Sequence, residues 1–327
     1  MNCPEAENSG AFFRHITAFV GCYIFNFGLY SNLRRVNFMK SVTIAARDGF
    51  LLSATDFAID NPKAVVQIVH GAKEHKERYY PFMEYLNKCG FAAVVSDNRG
   101  HGESVNERYP LGFMDDFNLI VSDQYDVTKY IMQAYPDVPI YMLGHSLGSM
   151  IARVYLERHD DALTKLVLSG TANYISAGKI GIATANIMHK IKTGHGYSKL
   201  LERFANFLDD SWVVGDPDAL QKYRSDPLCT YKYPIASMNE VFKINAELHK
   251  YDNYEVKNKD LPILSVSGEL DPVTGGEKGI KDTVKTLNRL GYHNVTTIVY
   301  ENMYHEVLNE TERQRVYDDI AAFFETK

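Results

Sequence analysis

Residues 140–152 read IYMLGHSLGSMIA, and this stretch decides the fold of the chain. Its first four residues are apolar and favour a buried strand, and residues 147–158 follow with the apolar spacing of a helix. Between them, residues 144–148 read GHSLG and match the pattern G-x-S-x-G. The pattern is short enough to arise by chance, but a strand before it and a helix after it are the context that forms a nucleophile elbow. The stretch therefore predicts that Ser146 is a nucleophile on a tight strand-to-helix turn.

Seven further short segments, rich in β-branched and apolar residues, predict strands. They are residues 41–46, 51–57, 64–69, 92–96, 165–168, 263–266 and 296–300. Helical patterns lie between strands or after the last one, at residues 77–89, 119–134, 279–290 and 310–324. The first two strands flank the dipeptide Asp48-Gly49, which favours a hairpin turn. Because strands that alternate with helices are typical of an α/β fold, we predict a mostly parallel, eight-stranded sheet with helices on both faces.

One long segment departs from this alternation. No convincing strand pattern occurs between residues 168 and 263, but helical patterns occur at 180–191, 199–208 and 235–248. A structureless loop of that length is uncommon inside a compact domain. We therefore predict a helical cap at residues 171–258, inserted into an α/β core of residues 40–170 and 259–327. The cap is expected over the carboxyl ends of the strands, where open α/β sheets bind ligands.

A serine nucleophile needs a base, and the base needs an acid that orients it. In the fold that carries this elbow, the acid and the histidine follow the serine in that order along the chain. His305 comes a few residues after the last predicted strand, and Asp271 comes after the strand before it. Glu269 precedes Asp271 in the same loop and is the alternative acid. The sequence thus predicts Ser146, Asp271 and His305 as a catalytic triad.

The reaction also needs N–H groups that bind the charged oxygen of the tetrahedral intermediate. One belongs to Leu147, the residue after the nucleophile. The loop after the third strand reads HGAKEH over residues 70–75, and Gly71 permits close approach of the backbone. The N–H of Ala72 is therefore the expected second donor. A second glycine-rich loop, at residues 97–104, is expected to hold the loops around the site without entering the reaction.

Charge and cysteine content narrow the range of partners. The formal charge is −6, which gives no broad attraction for a polyanion, so nucleic acid is not an expected partner. The four cysteines, at positions 3, 22, 89 and 229, include no C-x-x-C pair, so neither a disulfide framework nor a thiolate zinc site is predicted. This usage predicts a reducing, cytoplasmic location. Peripheral contact with a membrane, through the cap or the N-terminal segment, is left open.

Residues 1–39 are interpreted as a separate N-terminal extension. Residues 16–25 are apolar, but the run is short for a spanning helix, and it lacks the basic start and the cleavage site of a secretory signal. Three interpretations stay open. The extension is a disordered tail, an interfacial segment, or sequence upstream of a true start at Met39.

Together, these motifs resemble the monoglyceride lipase and lysophospholipase branch of the α/β-hydrolases, which is also grouped with serine aminopeptidases. The resemblance covers residues 40–324 and rests on HGAKEH at 70–75 with Tyr79 close behind, DNRGHGES at 97–104, GHSLGS at 144–149, GELDPV at 268–273 and YHEVLNE at 304–310. The run SDPL at 225–228 is also similar to bacterial members. The resemblance implies an α/β-hydrolase fold with the same triad and oxyanion donors. It also implies a cap over an apolar acyl tunnel and no cofactor, and no metal site is predicted.

The expected function is therefore hydrolysis of carboxylic esters through an acyl-enzyme, with monoacylglycerol or lysophospholipid-type lipids as substrates. The alternatives are a small-ester carboxylesterase or a thioesterase, and then an aminopeptidase. The loop at residues 70–75, called the oxyanion loop below, lacks the glycine- and proline-rich sequence of proline iminopeptidases. A catalytically inactive binding module is the alternative outside enzymes, but all three triad residues are present. Acyl chain length and head group are left open.

Overall fold

The structure, a computed structural model, describes residues 38–205 and 209–326. The interpretations of the N-terminal extension therefore lie outside the described residues, except at its last two positions. Eight strands of the described residues form one sheet. In chain order they are β1 (Phe38–Ala45), β2 (Leu51–Ala58), β3 (Val65–Val69), β4 (Ala92–Ser96), β5 (Ile140–His145), β6 (Lys165–Ser169), β7 (Ile263–Gly268) and β8 (Val295–Tyr300).

The sheet has the order β1-β2-β4-β3-β5-β6-β7-β8. β2 runs antiparallel to both β1 and β4, and all other neighbouring strands are parallel. Within strands β3, β4, β5, β6 and β7 every residue is buried, as expected for parallel strands that helices cover on both faces. β1 and β2 join through the predicted hairpin turn, where Gly49 has a φ of 82° and the N–H of Ala46 donates to the carbonyl of Phe50.

The helices pack on both faces of this sheet. In chain order the helices of the described residues are α1 (Tyr80–Lys88), α2 (Phe117–Ala134), α3 (Leu147–His159), α4 (Gly178–Lys192), α5 (Lys199–Phe204), α6 (Pro217–Ser225), α7 (Ile235–Glu247), α8 (Gly276–Leu290) and α9 (Arg313–Glu325). Apolar side chains of α2, α3 and α8 form a core on one face, and those of α1 and α9 form a core on the other. The predicted fold class is confirmed.

Helices α4 to α7 lie between β6 and β7 in the chain, within the segment predicted as the cap. The pattern at residues 199–208 forms α5 as far as Phe204, and residues 206–208 lie outside the described part. Helix α6 was missed because it buries only Tyr223 and so shows little apolar periodicity. Its start carried a usable signal, because Asp216 caps the helix by accepting the N–H of Ala219 at 2.9 Å, with Pro217 in the first turn. The division into core and cap stays a prediction.

Several element boundaries differ from the predicted ones by up to three residues. Helix α9 begins at residue 313 rather than 310, because the Glu310 carboxylate is engaged ahead of the helix by the N–H groups of Gly215 and Tyr304, at 2.9 and 2.8 Å. Strand β1 begins at residue 38 rather than 41, and its first residue pairs with Ala58. Across the ranges 38–205 and 209–326, every helix is too short or too polar to cross a bilayer.

Candidate active site

Ser146 lies on the turn between β5 and α3, with a φ of 53° and a ψ of −116°. A positive φ is unfavourable for a residue with a Cβ atom and costs on the order of 1–3 kcal/mol. Local hydrogen bonds hold the turn. The N–H of Ser146 donates to the carbonyl of Ser169 at 2.9 Å, and its own carbonyl accepts the hydroxyl of Ser149 at 2.6 Å. The serine therefore occupies a strained strand-to-helix turn of the kind that the G-x-S-x-G pattern predicts.

Glycines make this turn possible because the surrounding backbone leaves no room for a Cβ atom. A Cβ on Gly144 would lie 2.4 Å from the carbonyl oxygen of Gly148, and one on Gly148 would lie 2.1 Å from that of Val69. The end of β3 is thus in backbone contact with the start of α3. The loop after β3 consequently passes close to the serine, since a Cβ on Gly71 would lie 2.9 Å from the Cβ of Ser146.

His305 and Asp271 form a buried pair at the carboxyl ends of β8 and β7. Nδ1 of His305 donates to Oδ2 of Asp271 at 2.8 Å. The other carboxylate oxygen of Asp271 accepts the N–H of Val273 at 2.8 Å, which fixes the carboxylate. Nε2 of His305 is buried and has no hydrogen-bond partner among the described residues. His305 lines a cavity together with Ser146, so the structure brings all three predicted triad residues to one place.

The surroundings of His305 set its proton affinity. Burial alone would lower the pKa of His305, but the charge of Asp271 and the hydrogen bond to it outweigh that effect and raise the pKa above its usual range. Glu269, the alternative acid, has an exposed side chain whose carboxylate accepts the N–H of Asn302 at 3.2 Å. The geometry therefore favours Asp271 over Glu269 as the partner of His305.

The predicted oxyanion donors also border the serine. Ala72 and Leu147 line the same cavity as Ser146. Leu147 is the first residue of α3, so its N–H is one of those that a helix leaves without an internal acceptor. The N–H of Gly71 is unavailable to a substrate, because it donates to the carboxylate of Glu74 at 2.5 Å. In the loop after β3, which passes close to Ser146, the N–H of Ala72 rather than that of Gly71 is thus free to serve as the predicted donor.

A buried group of charged side chains borders the site, and the sequence did not single it out. Glu74 accepts the hydroxyl of Tyr79 at 3.1 Å and lies 3.6 Å from the guanidinium of Arg78, which also pairs with Glu306. Burial, together with the charge of Glu306, raises the pKa of Glu74 to about 7. Because Glu74 also holds Gly71, this group fixes the backbone of the oxyanion loop.

The glycine-rich loop at residues 97–104 forms buried contacts around the site. Asp97 accepts the Lys76 ammonium at 2.9 Å, and the N–H of Asn98 donates to Nε2 of His70 at 2.8 Å. Nδ1 of His70 donates to the carbonyl of Gly71 at 2.8 Å, so this histidine ties the two loops together. Burial lowers the pKa of His70 to about 3, which keeps the ring neutral. These contacts agree with the structural role expected for the loop.

Two cavities of different character meet at Ser146. The first is mainly apolar and is lined beyond the serine by residues of α3, α5 and α7, including Met150, Phe204 and Phe242. The second is more polar and contains His305 and the carboxylate-bearing Asp209 and Asp210. The indole of Trp212 borders both cavities and lies edge-on to His305, with ring centroids 5.1 Å apart. Sequence reasoning gave none of these lining residues from the segment between β6 and β7.

Known proteins share this architecture. A family profile described as serine aminopeptidase, S33, matches residues 60–312. The monoacylglycerol lipase of Mycolicibacterium smegmatis is 27% identical over 269 residues, which cover 80% of this chain and 88% of that protein. The phospholipase YtpA of Bacillus subtilis is 24% identical over 268 residues, which cover 81% of this chain and 96% of that protein. The crystal structure of a thermostable carboxyl esterase from Bacillus coagulans, in complex with glycerol, matches with a TM-score of 0.79 at 26% identity and covers 88% of this chain and 97% of that one.

The sheet order, the strained turn at Ser146 and these structural matches define an α/β-hydrolase. Because the family profile spans most of its length, the chain belongs to the serine aminopeptidase S33 family. It is an ester-hydrolysing enzyme. The resemblance drawn from the sequence motifs is confirmed, whereas the roles of the individual site residues stay predictions.

Proposed function

We propose that this enzyme hydrolyses lipid esters of the monoacylglycerol or lysophospholipid type, with Ser146, His305 and Asp271 as its catalytic triad. One observation carries the proposal. Ser146 stands where a mainly apolar cavity meets a polar one, beside the buried pair of His305 and Asp271. The names of the relatives from Mycolicibacterium smegmatis and Bacillus subtilis, a monoacylglycerol lipase and a phospholipase, support the same substrate class.

The proposed reaction begins when Nε2 of His305 takes the hydroxyl proton of Ser146 and the serine oxygen attacks the ester carbonyl. Asp271 holds the Nδ1–H tautomer and stabilises the imidazolium. The N–H groups of Ala72 and Leu147 bind the oxygen that becomes negative. His305 then gives the proton to the departing alcohol, which leaves an acyl-enzyme. Water attacks this ester by the same route and releases the carboxylic acid and free Ser146.

The two cavities suit the two halves of such a substrate. An acyl chain gains about 0.8 kcal/mol for each methylene that it buries, so it belongs in the cavity lined by Met150, Phe204 and Phe242. A glycerol or phosphoglycerol alcohol carries hydroxyl groups that need partners when they leave water. Carboxylate oxygens of Asp209 and Asp210 in the polar cavity would accept those hydroxyls, beside the bonds that Ser211 and Arg224 already donate to them. We therefore assign the alcohol to the side of His305, which is the group that must protonate it.

The proposal includes contact with a membrane surface through α4. Ile180, Ile187 and Ile191 are 63%, 60% and 74% exposed, and their spacing of seven and four residues places them on one stripe of the helix. Apolar side chains exposed together in this way mark a surface that binds another apolar surface. A lipid ester resides in such a surface, so α4 would bring the enzyme to its substrate.

Labelling with a fluorophosphonate, which reacts with activated serines, tests the proposed nucleophile. The native protein should be labelled at Ser146, and Ser146→Ala should not be labelled. Hydrolysis of monoacylglycerol, lysophospholipid and p-nitrophenyl esters of rising acyl length then tests the substrate class. Activity that is highest on the lipid esters and on long acyl chains supports the proposal. Equal labelling of Ser146→Ala would contradict the nucleophile, and activity confined to short esters or thioesters would contradict the lipid substrate.

A further inference from the structure

A second chemically distinctive cluster lies outside the triad. We propose that His75, Asp226 and Cys229 form a binding site for a zinc ion. One ligand atom of each residue, a ring nitrogen, a carboxylate oxygen and Sγ, lies within 4.8 Å of the other two. Nitrogen, oxygen and sulfur in one cluster are the ligand set that Zn²⁺ accepts. The zinc proposal does not require that the triad or the lipid substrate is assigned correctly.

Asp226 and Cys229 are presented by a single turn that follows α6. The N–H of Cys229 donates to the carbonyl of Asp226 at 3.0 Å, and the N–H of Leu228 donates to Oδ1 of Asp226 at 2.8 Å. The bond from Leu228 occupies one carboxylate oxygen and leaves Oδ2 directed at His75, whose Nε2 lies 2.8 Å away. A spacing of three residues thus brings a carboxylate and a thiol to the same point, next to an imidazole from the loop after β3.

A carboxylate orients the imidazole of His75, as is common for histidines that bind metals. Its Nδ1 donates to the carboxylate of Glu77, which leaves Nε2 facing Asp226. A carboxylate behind the imidazole fixes the ring and raises its basicity, and most histidines that bind metals in proteins have such a partner. In a tetrahedral zinc site, nitrogen and oxygen ligands at about 2.0 Å from the ion lie roughly 3.3 Å apart. Zinc would therefore replace the proton between Nε2 and Oδ2 with only a small movement.

The charges around the cluster permit a dication. A thiolate on Cys229 and the carboxylate of Asp226 would neutralise the two positive charges of zinc. Two of the nearby cations have carboxylate partners of their own. Arg78, whose guanidinium lies 3.9 Å from Sγ, pairs with Glu306, and Lys76 pairs with Asp97 at 2.9 Å.

The cluster also has an entry route and a place for a fourth ligand. His75 and Asp226 line a surface groove together with Glu77, Lys222 and Asn309. Water from this groove can reach His75 and Asp226, whereas Cys229 is buried. Three protein ligands with water in the fourth position are a common zinc arrangement.

Zinc at this position would link two parts of the active site. His75 lies three residues after Ala72, in the loop that is expected to hold the oxyanion, whereas Asp226 and Cys229 belong to the segment between β6 and β7. A bound ion would fasten that segment to the oxyanion loop, so it should stabilise the folded protein. The sequence did not indicate the site because 151 residues separate His75 from Asp226.

Titration of the chelator-treated full-length protein with Co²⁺, a spectroscopic substitute for zinc, tests the proposal. The native protein should bind one equivalent and develop a thiolate-to-cobalt charge-transfer band in the near ultraviolet. Cys229→Ser should lose the band, and His75→Gln should weaken binding at least tenfold. Cys89→Ser is the matched control, because Cys89 is the other described free cysteine and lies at the end of α1, outside the cluster. It should behave as the native protein does, and so should Ser146→Ala.

Thermal unfolding gives a second measurement. Zn²⁺ should raise the unfolding midpoint of the native protein and of Cys89→Ser, but not that of Cys229→Ser. If Cys229→Ser does not fold, Asp226→Asn replaces it and should show the same loss. Absence of the cobalt band in the native protein, or a band that survives in Cys229→Ser, would overturn the proposal. The first result would mean that a proton bridges His75 and Asp226, and the second would mean that another cysteine binds the metal.

Discussion

Oδ2 of Asp271 lies 2.8 Å from Nδ1 of His305, and both side chains are almost fully buried. Because an ionised carboxylate can only accept, the proton of the bond belongs to Nδ1, and Nε2 keeps its lone pair. This is the tautomer that a base acting on Ser146 needs. The same bond that orients the ring therefore also determines which nitrogen can take the serine proton.

Replacing Asp271 with asparagine should lower kcat/KM by roughly 10³–10⁴-fold, because the amide neither fixes the tautomer nor stabilises the imidazolium. Glu269→Gln should stay within about threefold of the native enzyme, because the Glu269 side chain is exposed and accepts the N–H of Asn302. Hydrolysis of a p-nitrophenyl ester measures both variants, with circular dichroism to show that each folds. The reverse order of effects would move the acid to Glu269.

The pH dependence of kcat/KM should report His305. Its pKa is raised, because the charge of Asp271 outweighs the effect of burial. Only the neutral ring can accept the proton of Ser146, so kcat/KM should fall as the pH drops through that raised pKa. In Asp271→Asn the raising charge is gone, and the acid limb of the residual activity should move to lower pH.

A second buried group also has a raised pKa and needs its own control. Burial, together with the charge of Glu306, raises the pKa of Glu74 to about 7. Glu74→Gln keeps an oxygen that can accept the N–H of Gly71, so the acid limb should survive in this variant. Loss of the limb in Glu74→Gln, with no shift in Asp271→Asn, would assign the limb to Glu74.

Gly71→Ala should lower activity at least a hundredfold while the protein still folds. The added Cβ would lie 2.4 Å from a carboxylate oxygen of Glu74 and 2.9 Å from the Cβ of Ser146, so the oxyanion loop must move away from the serine. Displacing one oxyanion donor costs about 10²–10³ in kcat. The effect should fall on kcat, measured on a p-nitrophenyl ester, because the donors act on the transition state.

Gly178→Ala is the control for this substitution. Gly178 is the first residue of α4, and a Cβ there would meet only a side-chain oxygen of Asn245 at an ordinary 3.7 Å. The variant should keep native activity and gain slightly in thermal stability, since alanine favours a helix more than glycine does. Equal activity of Gly71→Ala and Gly178→Ala would mean that the close approach at Ser146 is not needed.

The sequence was most informative where local chemistry determines structure. Each predicted strand has an observed counterpart, and five of them, β3 to β7, are short apolar runs because helices cover them on both faces. The turn at Ser146 was predictable because it requires glycine on either side of the serine. A Cβ atom on Gly144 or Gly148 would lie within 2.4 Å of a backbone oxygen. The order of Asp271 and His305 followed from the order of the strands in the fold.

The remaining features depend on contacts between distant parts of the chain. Asp209, Asp210 and Trp212 border the cavities, but no local pattern marks them as lining residues. Glu74 and Glu306 meet beside the site although they are 232 positions apart in the sequence, and no local pattern around either residue predicts the pair. Helix α6 buries only the side chain of Tyr223, so apolar periodicity does not reveal it.

Filling the apolar cavity should shorten the preferred acyl chain. Val241 on α7 lines that cavity with Phe242, and a tryptophan in its place would occupy space that an acyl chain would use. Each methylene excluded from an apolar pocket costs about 1–3 kcal/mol in the transition state. In Val241→Trp, the ratio of p-nitrophenyl laurate to p-nitrophenyl butyrate hydrolysis should fall at least tenfold. The butyrate rate is the internal control, and an unchanged ratio would show that the acyl chain lies elsewhere.

Placing a charge on the exposed stripe of α4 should weaken membrane contact. Ile187 is 60% exposed and lies between two other exposed isoleucines, so a membrane surface would remove its side chain from water. Burial of an isoleucine contributes about 1.5–3 kcal/mol, so Ile187→Glu should lower the partition onto phosphatidylcholine vesicles by about tenfold or more. Vesicle sedimentation measures this directly. Hydrolysis of a soluble p-nitrophenyl ester should not change, since Ile187 does not line the catalytic cavities.

Met132→Glu is the matched control for the membrane experiment, because Met132 is a similarly exposed apolar residue on α2, outside α4. Both variants add one negative charge, so a general electrostatic effect on the vesicles would weaken them equally. If α4 is the contact surface, only Ile187→Glu should lose binding, and its activity on vesicle-borne monoacylglycerol should fall in parallel. Equal loss in the two variants would show that α4 makes no special contact. Unchanged binding in both would require another part of the chain to meet the membrane.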